Sequence, residues 1–156
     1  MRTFFMILIV LVGLFGASVS TVSAQKKAKP GKDFLLQMER SPCRGACPAY
    51  IVTVDAKGNV VYEGKRSVKN IGQYTKTISA AKVKEIAGLM KTSDYFSFDE
   101  KYDNEGIADA VVWTINYTNR GKSKQVIDRY GAPESLKDLQ EKLESIIGED
   151  GYQKAD

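Results

Sequence analysis

The segment Ser41-Pro42-Cys43-Arg44-Gly45-Ala46-Cys47-Pro48-Ala49-Tyr50 carries both thiols of a chain of 156 residues that has no histidine. Two cysteines four positions apart suit one of two chemistries. They close a disulfide that shapes a turn, or they cycle between dithiol and disulfide as a redox centre. A redox pair is usually a Cys-x-x-Cys at a helix N-terminus, where the attacking thiol's pKa falls. Here the spacing is one residue longer and a strand pattern follows, so a structural Cys43–Cys47 disulfide is expected. Gly45 is expected to take a positive φ that folds the loop back, with Pro42 and Pro48 limiting the alternatives. A loop this small stabilises by roughly 2 kcal/mol when the chain-entropy relation is extrapolated to it.

The missing histidine removes whole reaction classes. Neither a Ser-His-Asp nor a Cys-His unit is available, nor His-ligated zinc, nor an imidazole titrating near neutral pH. Carboxylates and thiols remain as general bases. No motif implies a cofactor and no residue is assigned as catalytic, so the chain reads as a module rather than an enzyme.

Two metal chemistries have candidate ligands in the chain. Soft thiolates suit Cu(I), and Cys43-x-x-x-Cys47-Pro48 is similar to the metal-binding loop of Sco-type copper chaperones, with Met38 as a third soft ligand. Those proteins add a distant histidine on a thioredoxin-like fold, and this chain has neither a histidine nor a βαβ order. Oxygen ligands for a hard cation gather in Asp99, Glu100, Asp103, Asn104, Glu105 and Asp109. Their spacing departs from the EF-hand pattern, and a solvated loop is expected. Glycoside hydrolysis needs two carboxylates at a fixed separation, which sequence spacing alone does not supply. Among aromatics, Tyr50, Tyr62, Tyr74, Trp113 and Tyr117 fall in strands. Packing beneath helices is expected of them, the alternative being a sheet face that binds a ligand. Asn116-Tyr117-Thr118 forms a glycosylation sequon by chance, since it lies inside a strand.

The compartment comes from the N-terminus. Arg2, the apolar run Phe4 to Gly16 and the small residues Val22-Ser23-Ala24 form a secretory signal peptide, with cleavage between Ala24 and Gln25. The apolar core is too short to span ~30 Å of hydrocarbon. No cysteine near the cleavage point is available for lipidation, so the product is periplasmic or secreted, not a lipoprotein, and has no membrane span after cleavage. An exported chain meets the oxidising surroundings that a disulfide needs. Removing residues 1–24 leaves 132 residues and a net charge of +3, because Arg2 is the only charge lost. Residues 25–33, with Lys26, Lys27, Lys29 and Lys32, read as a basic flexible linker. Elsewhere basic residues are interleaved with acidic ones, which argues against nucleic acid. The expected partner is an envelope or extracellular ligand or protein.

The elements that must position these residues follow from periodicity. Residues 34–40 form a first strand, 49–55 a second with Tyr50, Val52 and Val54 on one face, and 60–64 a third after the turn Asp55 to Asn59. Residues 65–78 suggest an irregular or bulged strand around Gly72. Ser79 is a helix N-cap, with Val83, Ile86, Ala87 and Met90 as the buried stripe. Residues 94–109 form a loop. A second hairpin joins 111–117 to 122–129 around Asn119-Arg120-Gly121. Pro133 suits a first helical position, Leu136, Leu139, Leu143 and Ile146 the stripe, and Gly148 the stop. The order β-β-β(-β)-α-β-β-α implies an α+β domain over residues 34–152, with a tail at 153–156. A mainly antiparallel sheet of about five strands would carry both helices on one face.

Several separated segments also match a known pattern. Glu39-Arg40-Ser41-Pro42-Cys43-x-Gly45-x-Cys47-Pro48-x-Tyr50, Gly58-x-Val60-x-Tyr62-Glu63-Gly64, Tyr95-Phe96, Tyr102 with Asp109, and Gly131-Ala132-Pro133-x-x-Leu136-x-x-Leu139 together resemble a bacterial domain of unknown function, numbered 6438. The resemblance covers about residues 34–152. It implies an exported single-domain protein of unassigned activity and carries over no catalytic residue. Where the pattern leads one to expect a tryptophan in the final segment, this chain has Tyr152.

Overall fold

The computed structural model describes residues 34–104, 106–107 and 109–155. The expected signal peptide, its Ala24–Gln25 cleavage point, the basic linker 25–33 and Glu105 lie outside the described residues. The elements run β1 (Phe34–Arg40), β2 (Ala49–Asp55), β3 (Asn59–Arg66), β4 (Gly72–Thr77), α1 (Ala80–Thr92), a 3-10 turn (Tyr95–Ser97), β5 (Lys101–Tyr102), β6 (Trp113–Asn119), β7 (Lys122–Asp128), α2 (Glu134–Ile147) and β8 (Gln153–Lys154). They form one sheet in the order β5-β7-β6-β1-β2-β3-β4-β8. All neighbours pair antiparallel except β5 with β7.

The α+β class agrees with the sequence, whereas the expected strand count of about five is corrected to eight among the described residues. Two of the added strands, β5 and β8, have two residues each, too few to generate a readable alternation. The expected bulge at Gly72 is absent, since β3 and β4 pair without a shift from Asn59 opposite Thr77 to Gly64 opposite Gly72. Irregularities fall instead at Phe34/Leu36 in β1 and at Ala49/Tyr50 in β2. Pro133 is the N-cap of α2 rather than its first helical residue, because its ψ of 152° is extended.

Alternation within each strand decides which face is covered. Leu36 and Met38 of β1, Tyr50, Val52 and Val54 of β2, Val60 of β3, Ile115 and Tyr117 of β6 and Val126 of β7 are buried, while their alternate neighbours face the other way. The helices complete the same core: Ile86 and Met90 of α1, and Leu136, Leu139, Leu143 and Ile147 of α2, join one hydrophobic cluster with those strand residues. Both helices therefore pack on this face. Ser79 caps α1 by accepting from the Lys82 amide, as its type predicts.

Where α1 begins is set by Gly58. Its φ of +86° turns the β2–β3 hairpin, and a Cβ there would sit 2.4 Å from the Ile78 carbonyl oxygen. The glycine amide unit thus lets the start of α1 close down, with the Ile78 amide donating to Gly58 O at 2.9 Å. Tyr95 supplies a second tie. It is fully buried, and its hydroxyl donates to the Ile115 carbonyl at 2.7 Å, holding the 3-10 turn under the sheet. Among the described residues, no helix is long and apolar enough to cross a membrane.

Candidate functional site

Helix α2 crosses the covered face obliquely, and its polar border residues mark the crossing. Midway along it, the buried Gln140 donates to Asp128 Oδ2 at 3.0 Å, at the end of β7. One turn later Glu144 meets the last residue of β1, Arg40, and the second residue of β2, Tyr50. At its end, the Lys76 ammonium of β4 donates to the carbonyls of Ile147, Gly148 and Asp150 at 2.7, 2.6 and 3.0 Å. A lysine thus satisfies carbonyls that the helix C-terminus leaves without intrahelical partners, at its negative dipole end.

Two hollows flank this crossing. One, of about 450 Å³, is lined by Tyr50, Tyr62 and Tyr152 together with Pro48, Arg40 and Glu144. The other, of about 550 Å³, is lined by Trp113, Arg129, Tyr130 and Lys137, and again by Arg40 and Glu144. Arg40 and Glu144 therefore form the partition between an aromatic hollow and a more polar one.

The aromatic wall is continuous. Tyr50 and Tyr62 stack with centroids 5.6 Å apart and planes at 26°, Tyr62 meets Tyr152 at 5.1 Å and 45°, and Tyr50 meets Trp113 edge-on at 6.4 Å. The Tyr50 hydroxyl donates to Glu144 Oε1. Burial, then that hydrogen bond to a carboxylate, pushes the Tyr50 pKa well above its usual range, so the hydroxyl stays protonated and remains a donor. Burial also raises Tyr62 and Tyr152. The Arg40 guanidinium lies 5.0 Å over the Trp113 ring, and its Nη1 is 3.9 Å from Glu144 Oε1. Its Nε is buried with no hydrogen-bond partner among the described residues.

The cysteine loop lies at the same end of the sheet. The Cys43 and Cys47 sulfurs are at disulfide distance, 1.97 Å, with Cα atoms 5.6 Å apart. Gly45 does not take the expected positive φ. The loop instead turns with the Gly45 amide donating to Cys43 Sγ at 3.2 Å, and the anchors lie outside it. The Ser41 amide donates to the Val112 carbonyl at 2.9 Å, the Arg44 amide to Asp109 Oδ1 at 2.7 Å, and Arg66 Nη1 to the Cys43 carbonyl at 3.3 Å. Pro48 and Tyr50 carry this loop into the aromatic hollow, whereas Pro42 is exposed.

The other sequence candidates lie elsewhere. Met38 is fully buried in the core, paired across β1 with Val52 and Ile115. In the acidic segment, Asp103 pairs with Lys101 at 2.8 Å and Arg129 at 3.7 Å, and the Lys101 hydrogen bond lowers its pKa. Asp109 is taken up by Arg44, and Asn104 accepts from the Gly106 amide at 3.0 Å. Among the described residues, no three Cys, Asp or Glu side chains are placed to hold a metal together. Of the strand aromatics, Tyr50 and Tyr117 are buried under the helices as expected, while Tyr62, Tyr74 and Trp113 keep partial exposure on that same face.

Glu144 and Lys76 are not singled out by the sequence, and Arg40 and Tyr152 enter it only through the family resemblance, with no role attached. A usable signal existed for one of them: Gln140 and Glu144 sit four apart on the border of the Leu136, Leu139 and Leu143 stripe, where a polar side chain faces the sheet.

No curated protein matches this chain. The family model of the Domain of unknown function (DUF6438) matches residues 34–147, from the first residue of β1 to the last of α2, and the chain belongs to that family.

Proposed function

We propose that this protein is an exported binding module of the cell envelope or extracellular space, and that its ligand seat is the aromatic hollow beside the second half of α2. One observation carries it: Tyr50, Tyr62 and Tyr152 wall a hollow of about 450 Å³ with a charged pair, Arg40 and Glu144, at one end. An apolar wall with a few convergent polar groups is the usual form of a small-molecule site, and sites of roughly 300–1,000 Å³ are typical. Cys43 and Cys47 form an inert disulfide that fixes the loop entering the hollow. The sulfur separation supports the disulfide itself, and the strand rather than helix N-terminus that follows Cys47 supports its inertness. The signal-peptide pattern of residues 1–24 supports the compartment.

Two measurements test it. In an amide NMR titration with a library of small organic molecules, hits are expected to move Tyr50, Tyr62 and Tyr152; hits confined to the opposite face of the sheet overturn the site. Mass spectrometry of the purified exported protein, with and without a mild reductant, is expected to show alkylation only after reduction. A thiol pair open to alkylation beforehand favours the competing thiol-redox or copper-handling role of Cys43 and Cys47.

A further inference from the structure

We propose that the hollow receives an organic carboxylate with a flat apolar body, the carboxylate on Arg40 and the body against Tyr50 and Tyr62. This deepens the reading of the hollow as a ligand seat and rests on it.

The chemistry follows from which polar groups around the hollow are already spent. The Lys76 ammonium is committed, with three carbonyls around it and the Tyr152 ring centroid 3.9 Å away. That is the arrangement in which an aromatic ring and helix-end carbonyls would hold a cation, and the chain's own lysine fills it. Glu144 spends its Oε1 on the Tyr50 hydroxyl. Arg40 is different. Its approach to Glu144 at 3.9 Å is longer than a hydrogen bond, and its Nε has no partner among the described residues. The guanidinium carbon lies 5.0 Å over the Trp113 ring, a contact with the ring face that takes up none of the N–H donors. The side chain is 27% exposed, so a ligand reaches it.

A planar, pre-oriented fork of N–H donors matches a carboxylate, which it binds with two parallel hydrogen bonds. The direction of the ligand body is set by what lies on either side of the partition. Tyr50, Tyr62 and Tyr152 form one side, with the exposed Lys69 and Glu149 as its other charged lining beyond Arg40 and Glu144, whereas Arg129, Lys137, Glu141 and Asp128 line the other. An apolar body therefore lies on the tyrosine side, where it leaves no buried charge unpaired.

The reporter is built in. Trp113 is the single tryptophan of the chain and sits beneath Arg40. The purified protein is titrated with phenylacetate, phenylacetamide and phenethylamine, following Trp113 emission and the Tyr62 and Tyr152 amides. Phenylacetate is expected to bind saturably and roughly tenfold more tightly than phenylacetamide, the difference between a charge-assisted and a neutral pair. In Arg40→Gln that preference disappears, and Arg40→Lys, which keeps the charge but not the fork, recovers only part of it. Should Arg40→Gln fail to fold, the comparison of the three probes on the unaltered protein still decides. If the amide or the amine binds as tightly as the carboxylate, Arg40 is not an anion receptor, although the hollow stands as a seat. If none of the three moves the tyrosine amides, the assignment and the seat fall together.

Discussion

The two faces of the sheet handle polar side chains in opposite ways. On the face away from the helices, Gln125 donates to Asn116 at 2.8 Å, Asn116 to Gln37 at 3.2 Å and Gln37 to Thr53 at 3.4 Å, a ladder across β7, β6, β1 and β2. Each amide spends its capacity on the next strand. On the covered face, the crossing of α2 leaves Arg40 stacked on Trp113 with its nearest anion 3.9 Å away. The richer polar surface is thus the more self-sufficient one. A site is marked by hydrogen-bonding capacity that the fold leaves unspent beside a hollow, not by the number of polar groups on a face.

Three changes should separate the faces. The largest effect is expected at Gly64, on the covered side, where a Cβ would lie 1.8 Å from the Asn70 backbone oxygen. Gly64→Ala must push back the segment 67–70 that rims the aromatic hollow. A loss of about 3 kcal/mol, read from the melting temperature, is expected along with loss of phenylacetate binding. Wild-type melting would show that the rim yields freely and that the hollow is not held in shape.

Alkaline pH comes next. Burial raises the pKa of Tyr50 and Tyr152 in the folded state, so the unfolded chain releases these protons first. Their stabilisation is whole below the unfolded value of about 10 and is lost as pH rises above it, by up to about 1.4 kcal/mol per pH unit for Tyr50 and by less for the more exposed Tyr152, where solvent screens the effect. Denaturant melts between neutral pH and pH values above 10 should show that slope, flattened in Tyr152→Phe. An unchanged slope in that variant would place the Tyr152 hydroxyl in water.

The smallest effect belongs to the open face. Gln37→Ala removes the middle rung of the amide ladder and should cost no more than about 1 kcal/mol, because water replaces what is lost. Phenylacetate affinity should not change. A loss of binding would mean that the faces are coupled through β1.

Much of this was readable from residue order. Period-two alternation in 49–55 gave β2 with its exact bounds and its buried face, because a half-buried strand repeats its pattern every second residue. Ser79 and the stripe through Ile86 and Met90 gave α1 for the same kind of reason. The site was legible only in pieces. Tyr50 and Tyr62 were placed on the covered side of their strands, yet their meeting with Tyr152 depends on where the chain returns after α2. Arg40 read as an ordinary strand end and Glu144 as one charged helix residue among several. Their pairing spans more than a hundred positions and depends on the angle at which α2 crosses the sheet, which no local pattern encodes. The acidic segment is the reverse case: a dense run of carboxylates, expected to be a solvated loop, in which Asp103 and Asp109 serve neighbouring cations and amides.

The two shortest strands bear on how this protein meets other chains. A sheet edge is a template for a foreign strand, since its outer amides and carbonyls face solvent. Here β8 pairs with Tyr74 and Thr75 on one edge, and the Ala155 amide takes the Gln73 carbonyl at 3.0 Å. On the other edge β5 pairs with Ile127 and Asp128, and beyond it Lys124 ties itself to the carbonyls of Phe96 and Phe98. Both margins are capped by pieces too short to recruit a further strand. Capture by strand addition, and the edge-to-edge aggregation that follows the same route, are thereby discouraged.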